Sequence, residues 1–165
     1  MMKIFTFVLI GLVYIISSPA VAADTHCNEQ EQIVFSCSLG KKIVSVCASS
    51  DLSLNNGYLQ YRIGQGNTLE LILPNSTKPG QHIQARTLMF SGGGGSYLRF
   101  INGDYHYIVY TAIGKGWGVK DGVSVEKNNK LIANLKCQDI PVSIMGDEFF
   151  TRAGLPIDQN EFFPP

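Results

Sequence analysis

The chain has 165 residues, 45% hydrophobic and 16% charged, with 13 Lys plus Arg balanced by 13 Asp plus Glu. That length supports one domain with its own core. A net charge of zero argues against nucleic-acid binding, which needs a dense basic footprint.

Lys3 precedes an apolar run from Ile4 to Ile16, Ser17-Ser18-Pro19 breaks the run, and Ala20-Val21-Ala22-Ala23 supplies small residues. This order reads as a secretory signal peptide over residues 1–22, cleaved after Ala22 or Ala23. Thirteen apolar residues at about 1.5 Å each fall short of a roughly 30 Å hydrocarbon core. No later apolar run is longer, so no stable membrane insertion is expected. Cys27 follows Thr25-His26 rather than a small apolar lipobox, which disfavours lipidation. Loss of Lys3 leaves 12 basic against 13 acidic residues, a net charge of −1. The expectation is a periplasmic or secreted protein with a mature chain of about 142 residues.

Cys27, Cys37, Cys47 and Cys137 all follow the cleavage site. An even count in an exported chain reads as two disulfides, with three connectivities open. Their spacing contains no Cys-x-x-Cys pair, which disfavours zinc. A bridge to Cys137 ties the end of the sheet to its beginning.

Gly and Asn punctuate the chain, with β-branched and aromatic residues between, the pattern of short strands. Strands are predicted near 32–38, 42–49, 57–64, 68–73, 85–91, 96–102, 104–113, 117–126 and 130–137. A loop at Gln65-Gly66-Asn67 sets Leu59, Tyr61 and Ile63 opposite Leu73, Leu71 and Leu69, with Arg62 opposite Glu70. A two-residue turn at Asn102-Gly103 sets Phe100 opposite Tyr105 and Leu98 opposite Tyr107. A loop at Lys127-Asn128-Asn129 aligns Val125 and Val123 with Leu131 and Ala133, and carries Cys137 to the core side. The fold class is all-β: an antiparallel barrel or sandwich of eight or nine strands over residues 23–137. Residues 138–165 form a C-terminal extension. Gly146-Asp147-Glu148 starts a short helix over Phe149–Ala153, Gly154 and Pro156 end it, and an extended tail follows.

Chemistry-bearing patterns are few. His26, His82 and His106 lie in no metal-ligand spacing, so neither a metal nor a cofactor is expected. His106 reads as a solvent-side strand residue opposite Arg99. No Gly-x-Ser-x-Gly elbow occurs, and the acids are scattered apart from Asp147-Glu148 at the predicted helix start. Nothing here points to an enzyme.

The sharpest local feature is Ser91-Gly92-Gly93-Gly94-Gly95-Ser96-Tyr97. It lacks the Lys-Ser/Thr ending of a phosphate loop. It reads either as a flexible hairpin loop or as a projecting loop that enters a partner's cleft. A second candidate is Lys115-Gly116-Trp117-Gly118-Val119-Lys120. Trp117 there is an interface anchor or a core-capping residue, and Lys115 and Lys120 are possible partner contacts. The tyrosines at 58, 61, 97, 105, 107 and 110 offer a sugar-binding face or are core.

Val34-Phe35-Ser36-Cys37, Ser45-Val46-Cys47-Ala48-Ser49, Gly57-Tyr58-Leu59-Gln60-Tyr61-Arg62, Ser91 through Phe100, and Arg152-Ala153-Gly154-Leu155-Pro156 together resemble a family of uncharacterised exported proteobacterial proteins. That resemblance covers nearly the whole mature chain and implies no particular activity. The glycine-rich segment also resembles, at the level of one loop, the periplasmic lysozyme inhibitors. These are small antiparallel β-barrels in which a Ser-Gly-x-x-Tyr loop enters the lysozyme cleft. Ser91, Gly92 and Tyr97 would play those parts, with four residues rather than two between Gly92 and Tyr97. The expected function is a non-enzymatic envelope binding protein whose partner is a lysozyme or another cell-wall lytic enzyme. The alternatives are a glycan- or peptide-binding module and a structural envelope protein.

Overall fold

The computed structural model describes residues 24–75 and 82–165. The expected signal peptide lies outside the described residues. Among them, ten strands and one helix follow in chain order. The strands are β1 (Glu31–Ser38), β2 (Ile43–Ser49), β3 (Leu59–Gln65), β4 (Thr68–Leu73), β5 (Ile83–Phe90), β6 (Gly93–Asn102), β7 (Tyr105–Gly114), β8 (Gly118–Lys127), β9 (Lys130–Lys136) and β10 (Val142–Ser143), and helix α1 is Asp147–Arg152.

They build two five-stranded antiparallel sheets, ordered β10-β1-β2-β3-β4 and β5-β6-β7-β8-β9. The sheets pack as a sandwich, so the barrel alternative falls away. Strand alternation sends Val44, Val46, Leu59 and Tyr61 of the first sheet against Leu98, Phe100, Val109 and Val123 of the second. Burying these side chains supplies the main stabilisation, roughly 1.5–3 kcal/mol for each large one.

The hairpins form where expected, but each turn is two residues long and each register differs from the sequence expectation. Gly103, at φ 58, opens the β6–β7 turn with Asp104. Phe100 therefore pairs with Tyr107 and Leu98 with Val109. Asn128 and Asn129 both take positive φ, the demand of a tight hairpin turn. Val125 then pairs with Ala133 and Val123 with Leu135, across a bulge. Gly66, at φ 54, turns β3 into β4, and a bulge sets Tyr61 opposite Leu73 and Arg62 opposite Ile72. The expected Arg62–Glu70 pair does not form: Arg62 binds Glu31 and Glu70 binds Lys42.

The C-terminal extension is built into the sandwich. β10 adds an edge to β1 through Ser36↔Val142. Helix α1 carries Asp147 and Glu148 in its first turn and Arg152 in its last, matching the helix dipole. Its Phe149 and Phe150 enter the core, and Gly154, at φ 63, ends it.

The first described segment and the C-terminal tail cover outer sheet faces. Residues from Asp24 to Cys27 lie on the first sheet, where Ser36 Oγ donates to the Asp24 carbonyl at 2.9 Å and the His26 N–H donates to Ser45 Oγ at 2.9 Å. The Cys27–Cys47 disulfide fixes this strap, and the second disulfide joins Cys37 to Cys137. Beside the strap, Arg62 forks onto Glu31 at 2.6 and 2.8 Å. On the second sheet, Asp158 bonds Arg99 Nε at 2.6 Å, and Phe162 packs between Tyr97 and Tyr110. The extended tail is therefore docked through Phe162, while Phe163 stays exposed.

Replacing Cys37 and Cys137 with serine frees a separation of 100 residues and is expected to cost about 5 kcal/mol. The Cys27/Cys47 pair closes 20 residues and is expected to cost about 3 kcal/mol. Urea unfolding of the two double variants checks that order, and equal losses contradict it. A second prediction concerns Glu31. Burial acts to raise its carboxyl, but bonds from Arg62, Tyr58 and the Asn28 N–H outweigh burial and hold it below the ordinary range. A carboxyl lowered in the fold stabilises above its unfolded pKa, and that stability is lost as pH falls through the folded value. Glu31→Gln should lower the Tm at pH 7 and shrink the Tm difference between pH 7 and pH 3, as read by calorimetry. An unaltered pH dependence contradicts this.

Candidate ligand groove on the second sheet

The glycine-rich segment is not a projecting loop. Ser91 and Gly92 make the β5–β6 turn, while Gly93, Gly94 and Gly95 are strand, paired to β5 on one side and β7 on the other. Close backbone approach explains the glycines. A Cβ on Gly93 would lie 2.0 Å from the Ile113 carbonyl oxygen, and one on Gly95 would lie 2.5 Å from that of Thr111. Ser96 is buried, and Tyr97 is fully buried with its hydroxyl donating to Asp158 at 3.0 Å. Burial pushes the Tyr97 hydroxyl up to about 12, helped by the Asp158 charge. Tyr97 holds the tail and faces no partner.

Ser91, Gly92, Lys115 and Trp117 do meet, at one end of the second sheet, where the Lys115 N–H donates to the Gly92 carbonyl at 3.0 Å. Trp117 covers Gly114, lies 5.5 Å from Phe90 and remains 40% exposed. Lys120 Nζ sits 4.9 Å from the Trp117 ring and donates to the Pro164 carbonyl at 3.1 Å. Trp117 therefore caps the sheet end, and Lys120 fastens the tail.

The tyrosines share no exposed face: Tyr61 and Tyr107 meet in the core, while Tyr97 and Tyr110 lie under the tail. His106 lies on the outer face of the second sheet, as expected, but it pairs with Ile101 rather than Arg99 and is largely covered. It packs 3.2 Å from Arg99 Nη1 and 3.6 Å from Glu126. Cys27, Glu31 and Cys47 come together, but both sulfurs are in the disulfide, so they make no metal site.

The opposite, inner face of the second sheet carries the better site. Register places Ala85, Leu98, Val109 and Val123 in one cross-strand row, inside the core. Two residues further along, the next row is Thr87, Ser96, Thr111 and Asp121, polar in all four strands. The last row is Met89, Gly94, Ile113 and Val119. Its Met89, Ile113 and Val119 are exposed. The outer two rows, Met89 apart, floor a groove of about 540 Å³, with Ile140, Pro141, Ser143, Met145 and Gly146 as the opposite wall.

Several contacts hold that wall. Ile144 N–H donates to the Val34 carbonyl and Gln138 N–H to the Ser38 carbonyl. Ser38 N–H donates to Asp139 at 2.9 Å, and the Cys37–Cys137 bridge anchors the segment's start. Ser96 Oγ donates across the groove base to the Met145 carbonyl at 3.2 Å, and the Thr87 hydroxyl donates to Asp147. A neighbouring depression of about 760 Å³ lies between β5 and α1, lined by Met89, Phe150, Leu155 and Ile157.

Asp121 is the one carboxylate lining the groove. Burial raises its pKa, and the Thr111 hydroxyl only partly offsets this. Its Oδ1 is sealed and has no hydrogen-bond partner among the described residues. Sequence reasoning missed Thr87, Thr111 and Asp121 because each is an isolated polar residue on its own strand. Only correct register brings them into one row.

Compared with family models, with curated proteins and with solved structures, the chain matches none. The site therefore rests on its own geometry. The strand placement of the glycines yields a test: Gly95→Val should destabilise the fold by about 1–3 kcal/mol through overpacking against β7. Denaturant titration checks it, and unchanged stability contradicts the close approach.

Proposed function

We propose that this chain is an exported, non-enzymatic binding protein of the bacterial envelope, and that its ligand enters the groove on the inner face of the second sheet. The carrying observation is the sheltered row Thr87–Ser96–Thr111–Asp121 beneath an exposed apolar rim. Ligand sites combine an apolar lining with a few convergent polar groups. A lining with a single carboxylate and no histidine favours binding over acid–base hydrolysis. Two disulfides suit an oxidising compartment outside the cytoplasm. Among the described residues no helix is long and apolar enough to cross a membrane. This is the glycan- or peptide-binding reading, moved from the tyrosines and Trp117 to the groove.

One observation favours a second reading. The Ser91-Gly92 and Lys115–Trp117 turns lie side by side and form a blunt tip. A lysozyme-inhibitor-like insertion into a lytic enzyme would use Ser91, Lys115 and Trp117, without Tyr97.

Glycan and peptide arrays probed with the protein recovered after export separate the two. Groove binding predicts that Thr111→Val weakens the best hit by about 3–10-fold, the worth of one hydrogen bond. Ile113→Asp should abolish that binding, and Trp117→Ala should leave it intact. Loss with Trp117→Ala alone, together with inhibition of a c-, g- or i-type lysozyme, places the site at the tip instead.

A further inference from the structure

We infer that the groove recognises a primary ammonium group on an unbranched apolar stem, the chemistry of a lysine side chain, seated against Asp121. This rests on the groove being the binding site.

Hydrogen direction is the first support. A hydroxyl has one proton to donate and two lone pairs. Thr87 spends its proton on Asp147 and Ser96 on the Met145 carbonyl, while Thr111 stands directly across from Asp121 in the β7–β8 register. What Thr87 and Ser96 have left to offer is acceptors. A ligand must therefore bring donors, and an ammonium brings three.

Charge is the second support. The carboxylates whose side chains are fully buried are matched by cations: Glu31 by Arg62 and Asp158 by Arg99. No ion pair among the described residues involves Asp121. A sheltered carboxylate without a cation is costly, and a bound ammonium removes that cost.

Shape is the third support. Guanidinium groups favour bidentate pairing with both carboxylate oxygens. Asp121 Oδ1 is sealed from solvent, so only single-oxygen contact is open, which suits a compact ammonium. Exposed Ile113, Val119 and Ile140 line the approach. They match methylenes and supply no aromatic platform for a sugar ring.

The test uses NMR titration of the disulfide-bonded protein with Nα-acetyl-lysine amide and three comparators: the norleucine analogue, the arginine analogue and a neutral methyl glycoside. Lysine should shift Thr111, Asp121, Ile113 and Val119 and bind at least about tenfold tighter than norleucine, the scale of a hydrogen bond to a charged group. Arginine should bind more weakly than lysine. Asp121→Asn should remove the lysine preference over norleucine. The comparison among probes on the unaltered protein stands even where that variant fails to fold. If norleucine or the glycoside shifts the groove as strongly as lysine, the ammonium inference is overturned and the groove remains a site. If no probe and no array hit shifts the groove, both readings fall.

Discussion

β6, β7 and β8 each run ten residues, while the strands of the first sheet run two to eight, so a two-layer sandwich leaves part of the second sheet's inner face beyond its partner. An inner face must be covered or turn polar. This one does both in sequence: an apolar row inside the core, a polar row at the boundary, and an exposed apolar row past it. The segment from Ile140 to Gly146 then comes across as a partial cover. The groove is what remains between an overlong sheet and a cover that closes only one side of it.

The outer faces meet the same requirement differently. Each is roofed by a strap of chain, the Asp24–Cys27 segment fixed by a covalent bond and the C-terminal tail by an ion pair. Arg99, at 2% exposure, bonds Asp158, at 0%, and Glu126. It also donates to the Asn160 carbonyl at 3.0 Å. Removing one partner of such a group strands a buried charge, at about 3–5 kcal/mol. The tail is thus held by a network that fails as a unit, with Phe162 and Lys120 adding apolar and polar anchors. Ordinary tail residues become part of the domain, and Tyr97 is taken from any surface role.

Much of the strand layout was legible because β-branched and aromatic runs between Gly and Asn have few other solutions. Register was less legible. Positive φ at Gly66, Gly103, Asn128 and Asn129 shortens or moves each turn, and bulges in β4 and β9 absorb the offset while keeping the apolar faces together. β10 escaped notice because two residues carry no periodicity. The four glycines misled for a physical reason: flexibility and close strand approach demand the same residue, and only pairing on both sides distinguishes them. The groove was illegible for the same reason. Thr87, Ser96, Thr111 and Asp121 are far apart in the chain, and a shift of one turn residue separates them.

The chemistry of the polar row depends on the C-terminal extension rather than on the sheet alone. Both outward hydroxyl protons at its β5 side are taken by that extension, through Met145 and Asp147. At the β8 side, the Asp121 carbonyl accepts the Cys137 N–H at 2.9 Å. Cys137 is bridged to Cys37 in β1. A single covalent tie therefore fixes where the extension begins, holds the backbone of Asp121, and brings in the acceptors that orient Thr87 and Ser96. A sheet without that tie keeps its row of side chains, but the protons of Thr87 and Ser96 are then free to point into the groove, and these two hydroxyls no longer discriminate a donor from an acceptor.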